Sequence, residues 1–229
     1  MLRRRPEAAL KSLGDRTTAR RPRTGLAPDR SRLPSGPVAG YDVKALDEST
    51  WPDFARLVER HNGVWGGCWC MGFHPEGARR GADRRAQKEG RVRSGQAHAA
   101  LVFDGEQCVG WCQFGTPDEL PRIKFGRAYR EAAVAPPAWR ITCFFVDTSY
   151  RRKGVAAAAL KGALREIARL GGGTVESSPE EVVGRKVSSS FLYNATVAMF
   201  EQQGFVRTRQ LGKNSWLVTR KVRPRRTSG

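Results

Sequence analysis

Arg151-Arg152-Lys153-Gly154-Val155-Ala156 joins two segments of different periodicity. Before it runs an apolar strand-like stretch, Trp139-Arg-Ile-Thr-Cys-Phe-Phe-Val146. After it, Val155, Ala159, Leu160, Ala163, Leu164 and Ile167 recur at helical spacing, with Lys161, Arg165, Glu166 and Arg169 between them. A strand that turns through a basic, glycine-containing loop into a helix builds an anion site. The first backbone N–H groups of the helix have no internal partners, and the helix dipole favours negative charge there. Gly154 lets a ligand approach the backbone, and the arginines add charge-assisted bonds to phosphate. The physics points to a phosphate-bearing cofactor.

Outward from this loop, Tyr41–Leu46 alternates like a first strand, and Ser49-Thr50 before Trp51-Pro52 reads as a helix start. Phe54, Leu57 and Val58 form that helix's apolar stripe. A loop rich in glycine and aromatics covers 63–77, and a charged second helix is expected over 79–93. Asp104-Gly105 separates two strand patterns, 98–103 and 107–114, as a hairpin turn does. Residues 115–138 are punctuated by prolines and expected to be irregular. The fourth strand is 139–146, the long helix roughly 153–170, and Gly171-Gly172-Gly173 its stop. A short strand follows over 174–178, then a helix over about 191–203 ending at Gly204, then strands 205–209 and 215–222. The fold class is α/β, a central mixed sheet with helices on both faces.

The chain has 229 residues and a formal net charge of +19. Residues 1–40 hold +7 of this and 220–229 hold +5, leaving +7 on the remainder. Most of the excess therefore sits in tails, as on solvated flexible ends. We expect a disordered basic tail over 1–38, one folded domain over 39–222, and a basic tail over 223–229. Nucleic acid is the last-ranked partner, since only the tails suggest it and no base-reading motif is visible. No run approaches the 18–20 apolar residues of a membrane span. Five cysteines, an odd number without a small-domain disulfide pattern, fit a reduced cytoplasmic setting.

The pattern Arg151-x-x-Gly154-x-Ala156, with its flanking strand and helix and a later Phe200-x-x-x-Gly204-Phe205, resembles the pyrophosphate loop and context of the GNAT superfamily of acyl-CoA-dependent N-acyltransferases. The resemblance spans roughly residues 41–222. It implies that two neighbouring strands, 139–146 and 174–178, splay to admit pantetheine, and that acetyl-CoA is the co-substrate. It further implies that backbone groups near Phe144, Phe145 and Val146 hold pantetheine, one N–H polarising the thioester carbonyl. Arg151, Arg152, Lys153, Gly154, Val155 and Ala156 would take the pyrophosphate, with Asn194 either a further CoA contact or merely a helix-start residue. No metal is expected.

Many family members carry a tyrosine where this chain has Phe200. Tyr193 lies seven residues earlier and, on a continuous helix, would return to nearly the same face. It is the candidate general acid, with a packed helix-start tyrosine as the alternative. Where some members place a glutamate early in the fourth strand, this chain offers Arg140 and Thr142. Glu176 is the candidate base, with a solvated edge carboxylate or a water relay as alternatives.

Cys68-Trp69-Cys70-Met71, Val109–Cys112 and Cys143–Val146 together are similar to a bacterial GNAT subgroup with a Cys-Trp-Cys-Met loop. Trp65, Trp69, Phe73 and His74 are candidates to line an acceptor pocket, His74 at its rim, with Trp69 and the cysteines as core filler the alternative. The function expected is transfer of an acetyl group to a primary amine, small-molecule or peptide, by a monomer or homodimer. A non-catalytic acyl-CoA sensor of the same fold is the alternative.

Overall fold

The computed structural model describes residues 40–77, 82–131, 135–188 and 192–225. The expected tail over 1–38 lies outside them, as do 226–229. One seven-stranded sheet organises the rest: β1 (Asp42–Ala45), β2 (His98–Asp104), β3 (Gln107–Gly115), β4 (Trp139–Val146), β5 (Gly173–Ser177), β6 (Val206–Gly212) and β7 (Ser215–Val222). Their order is β1-β2-β3-β4-β5-β7-β6, and β4–β5 is the one parallel pair within this sheet.

The central strands read as continuous apolar runs because both faces are covered. Ala100, Val102, Val109, Cys112 and Phe144 pack with α4 (Val155–Arg169) on one face. Leu101, Phe103, Trp111, Cys143 and Phe145 pack on the other with α1 (Trp51–Arg60) and α2 (Arg84–Arg93). The approach of α4 is close: a Cβ at Gly162 would stand 2.4 Å from Val43 Cγ1 and 3.2 Å from Ala100 Cβ.

Three elements differ from expectation. The 115–138 stretch holds a short helix, α3 (Gly126–Arg130), entered through a left-handed Phe125 (φ 58°). The helix α2 begins at Arg84, with the Asp83 carboxylate capping Ala86 N–H. The helix expected over 191–203 is only α5 (Val197–Glu201), capped by Thr196, whose hydroxyl accepts from Met199 N–H. The start of the expected C-terminal tail is fixed, since Arg225 N–H donates to Ala168 O at 2.8 Å.

Candidate active site

Parallel pairing of β4 with β5 lasts only from Trp139↔Val175 to Ile141↔Ser177. Beyond it the strands part, and Ser177 Oγ closes the junction by donating to Ile141 O at 2.8 Å. In the opening, Phe144 N–H donates to Tyr193 O at 2.7 Å, whereas Asp147 N–H turns the other way to Val109 O. Strand periodicity then aims Val146 N–H at the open side, with Phe144 N–H already engaged. Of the expected Phe144–Val146 backbone groups, Val146 N–H is the donor that this geometry leaves for a ligand.

At the end of β4 the chain enters a 3-10 turn, Thr148–Tyr150, organised by Asp147. Its carboxylate accepts from Ser149 N–H and pairs with Arg60 at 2.9 Å and His61 at 3.1 Å. Burial pushes this carboxyl up, but the Ser149 N–H, His61 and Arg60 outweigh burial and hold it at about 2. Next come Arg152 (φ 62°) and Gly154 (φ 84°), both left-handed. A left-handed arginine is strained, and such strain collects at functional loops. Ala158 N–H makes the first intrahelical bond of α4, to Gly154 O. The N–H groups of Val155, Ala156 and Ala157 therefore face outward as anion donors.

A cleft of about 930 Å³, partly open to solvent, joins these features. Phe144, Phe145, Val146, Arg151, Arg152, Gly154, Val155 and Ala156 all line it, with Leu192, Ala195, Thr196 and Met199 opposite. Lys153 does not; it is exposed and lies over the Tyr150 ring. The apolar channel ends in a basic mouth, which suits the residues present to a pantetheine arm and its diphosphate.

Trp65 also borders a second chamber on the opposite face of β4, lined by Phe73, Tyr193, Cys68, Cys70 and Cys143, and by Arg122, Lys124 and Arg130. Tyr193 packs edge-on to Trp65 at 6.3 Å and tilted against Phe73 at 6.1 Å. It precedes α5, so the helical-face argument does not apply; the backbone bond to Phe144 positions it instead. Burial, chiefly, pushes its hydroxyl above the usual tyrosine range.

The remaining candidates lie elsewhere. Trp69 is core, tilted against Trp51 and edge-on to Phe54, because the left-handed turn at 69–70 folds the loop under α1. His74 is 1% exposed and does not form a pocket rim. Its Nδ1 lies 3.0 Å from Glu119 O and its Nε2 3.1 Å from Lys88 Nζ. Glu176 and Asn194 line a separate, nearly filled small chamber beside Arg140 and Tyr129. Arg140 Nε donates to Glu176 at 2.8 Å and Tyr129 O–H donates at 3.0 Å, so both carboxylate oxygens are engaged. Both oxygens are thus committed to structural partners, and neither is left to meet an incoming amine. Asn194 Nδ2 reaches Ser178 Oγ at 3.4 Å, while its buried Oδ1 accepts no bond among the described residues.

The sequence reading missed Lys88, which is fully buried on α2. A signal existed: Lys88 stands four residues before Val92, the other buried residue of that helix, and so interrupts its apolar stripe.

The burial of His74 has a consequence for acid stability. Burial, then Lys88 and Arg91, push the imidazole from 6.5 down to about 2. Between those values the unfolded chain binds a proton that the native state does not, so stability is full above 6.5 and drains as pH falls. At about pH 4.5 this costs about 2–3 kcal/mol, at 1.36 kcal/mol per pH unit. Urea midpoints at neutral pH and pH 4.5 should show this drop, and His74→Gln should reduce it. Equal drops in both proteins would rule the imidazole out as the cause.

Among the described residues no helix is long and apolar enough to cross a membrane, and no cluster of His, Cys, Asp or Glu could hold a metal ion. No curated protein sequence matches the chain. Solved structures do. A histone acetyltransferase HPA2 and related acetyltransferase from Corynebacterium glutamicum is 15% identical over 82% of this chain and 99% of that one (TM-score 0.45). An N-acetyltransferase from Staphylococcus aureus Mu50 is 14% identical over 79% and 96% (0.44). Arabidopsis thaliana NAA60 in complex with acetyl-CoA is 12% identical over 80% and 98% (0.44). The sequence profile of the Acetyltransferase (GNAT) family matches residues 50–181, from the start of α1 through β5 and including the splayed strands and the Arg151–Ala156 loop. The chain belongs to the GNAT acetyltransferase family.

Proposed function

We propose that this chain is an N-acetyltransferase that moves the acetyl group of acetyl-CoA directly to a primary amine. The observation that carries the reading is the short β4–β5 pairing, which opens a channel from Val146 N–H to the outward N–H groups at the start of α4. Acetyl-CoA supplies an acetyl group activated as a thioester. Val146 N–H stabilises the charge that develops on the carbonyl oxygen. The amine nitrogen bonds to the carbonyl carbon and releases one proton, the carbon–sulfur bond breaks, and the Tyr193 hydroxyl gives its proton to the departing thiolate and regains one from solvent.

The acceptor enters through the chamber on the other face of β4. Its aromatic walls are Trp65, Phe73 and Tyr193, and its charged lining is Arg122, Lys124 and Arg130. Lys124 is paired with Glu180, which leaves a net positive rim. Like charges repel on approach, so we read the acceptor as an amine bearing an anionic group and not a polyamine.

The test is thermal shift of the full chain with acetyl-CoA, followed by thiol release with free amino acids and with spermidine. Binding with release to the amino acids is the expected result. Binding without release to any amine would make the protein an acyl-CoA sensor instead. For Tyr193→Phe we expect turnover to fall about 100-fold, the scale of a lost general acid, with cofactor affinity unchanged. Wild-type turnover in that variant would return Tyr193 to a packing role.

A further inference from the structure

Lys88 is 1% exposed, and among the described residues its ammonium has no carboxylate as a hydrogen-bond partner. Nζ donates to Gln113 Oε1 at 2.8 Å and lies 3.1 Å from His74 Nε2. The His74 Nδ1–H is committed to Glu119 O, so Nε2 presents a lone pair to Lys88 and the imidazole brings no charge. Gln113 is oriented in turn by Thr142 Oγ1 at 3.2 Å. A buried cation without a counter-charge is costly. The groups around it that can carry negative charge are the thiols of Cys70, Cys143 and Cys68, and the Glu76 carboxylate, which Arg91 already pairs at 2.8 Å.

Those thiols are arranged to hold one negative charge. Cys70 Sγ lies 2.9 Å from Cys143 Sγ, and Trp111 Nε1–H donates to Cys70 Sγ at 3.2 Å. Either thiol can carry the shared proton; with the indole N–H already directed at Cys70, placing it on Cys143 gives Cys70 two donors, and the Lys88 charge acts on the same sulfur. Both cysteines line the acceptor chamber that also contains Tyr193. Glu176, the carboxylate expected to act as base, is tied to Arg140 and Tyr129 in a different chamber.

Building on the acetyl-transfer reading, we propose that Cys70 is held as a thiolate against the Lys88 ammonium and accepts the proton of the incoming amine. As the nitrogen–carbon bond forms, one amine proton passes to Cys70 Sγ. The Tyr193 proton passes to the CoA thiolate, and proton exchange between the two sites through solvent restores both. Lys88 is a positioning residue: it sustains the charge without touching the acceptor.

The electrostatics agree with this geometry. Burial pushes the Cys70 thiol up, but the Cys143 S–H, the Lys88 charge and the Trp111 N–H outweigh it and hold Cys70 below the usual thiol range. The bond to Cys70, and then burial, push Cys143 well up, and burial does the same to Cys112 behind the pair. Cys68 is also pushed up by burial. Lys88 is brought down to about 8, chiefly by burial. Across the chamber stands Tyr193, and near Lys88 the Arg91 charge is paired with the Glu76 carboxylate at 2.8 Å.

Thiolate absorbance in the far ultraviolet, measured against pH on the full-length wild type and on Cys70→Ser, reads the ionisation without any turnover. We expect a one-thiolate difference at neutral pH, and its loss in Lys88→Met. Thiol release from acetyl-CoA, with the fastest acceptor among the free amino acids, gives the second readout. Cys70→Ser and Cys70→Ala should each lose at least about 100-fold in turnover while keeping the acetyl-CoA thermal shift. The wild-type rate should fall on the alkaline side as Lys88 loses its proton, a limb absent from Lys88→Met. A difference spectrum that titrates at an ordinary thiol value of about 8.5 in an active wild type overturns the thiolate and leaves the transferase reading standing. Wild-type turnover in Cys70→Ala overturns the base role. An intact thiolate signal in a protein that acetylates no amine overturns the transferase reading, and the base role with it.

Discussion

Gly154→Glu is expected to weaken acetyl-CoA binding at least about 100-fold, equivalent to roughly 3 kcal/mol, while leaving the protein folded. Gly154 caps α4 in a left-handed conformation (φ 84°), and the cleft runs past it to the outward N–H groups of Val155, Ala156 and Ala157. Two effects combine in the variant. A side chain at a left-handed position costs about 1 kcal/mol in backbone strain. The larger effect is a carboxylate placed where the proposed diphosphate would meet the helix N-terminus. It would itself occupy the donors and repel the ligand. Gly154→Ala separates the two, since it carries the strain but neither the bulk nor the charge. We expect that variant to melt slightly lower and to bind within about tenfold of wild type, the affinity equivalent of 1.4 kcal/mol. Calorimetric titration of both variants with acetyl-CoA is the measurement. Wild-type affinity in a folded Gly154→Glu would remove the phosphate-loop reading altogether.

Legibility tracked how local each determinant is. The strand–loop–helix unit around Gly154 and the β2–β3 hairpin could be read directly, because periodicity and turn residues are properties of neighbours in sequence. The covering of the sheet on both faces was visible in the unbroken apolar runs of β2, β3 and β4. The segment before α5 was not readable in the same way. Leu192 to Ala195 has helix-compatible composition, yet the splay of β4 leaves Phe144 N–H without a sheet partner, and Tyr193 O satisfies it. A tertiary hydrogen bond thus overrode local preference and delayed the helix to Val197. The Cys68–His74 segment failed for a related reason. Its aromatic and sulfur-bearing side chains suit either a pocket or a core, and only the run of left-handed residues decides between them. Trp65 stays on the chamber wall while Trp69 and His74 turn inward. Lys88 and Glu176 lie at the far end of this scale, since their meaning depends on partners 25 and 36 residues away.

Glu176→Gln is expected to cost about 3 kcal/mol of stability, at the lower end of the 3–5 kcal/mol for breaking a buried ion pair by removing one partner. Glu176 is 5% exposed and Arg140 8%, and their β-strands are in direct register, Arg140↔Glu176, at the last stretch before the sheet opens. The glutamine keeps the shape and one acceptor but leaves the Arg140 guanidinium without its charge partner. Tyr129 O–H and Leu120 O, the other partners of Arg140, are neutral and cannot replace it. For a domain of this size the loss corresponds to a melting temperature lower by about 6–12 °C. Replacing both partners by apolar residues, Arg140→Met with Glu176→Leu, should recover most of it, because the isolated charge and not the absent bond is the main cost. Activity discriminates between a structural and a catalytic carboxylate. If Glu176 were the base, Glu176→Gln would lose turnover at temperatures where it is fully folded. We expect its folded state to keep wild-type turnover within a few-fold, because the pair acts by fixing the register of β4 and β5. That register sets where the two strands part, and hence where Val146 N–H meets the cleft.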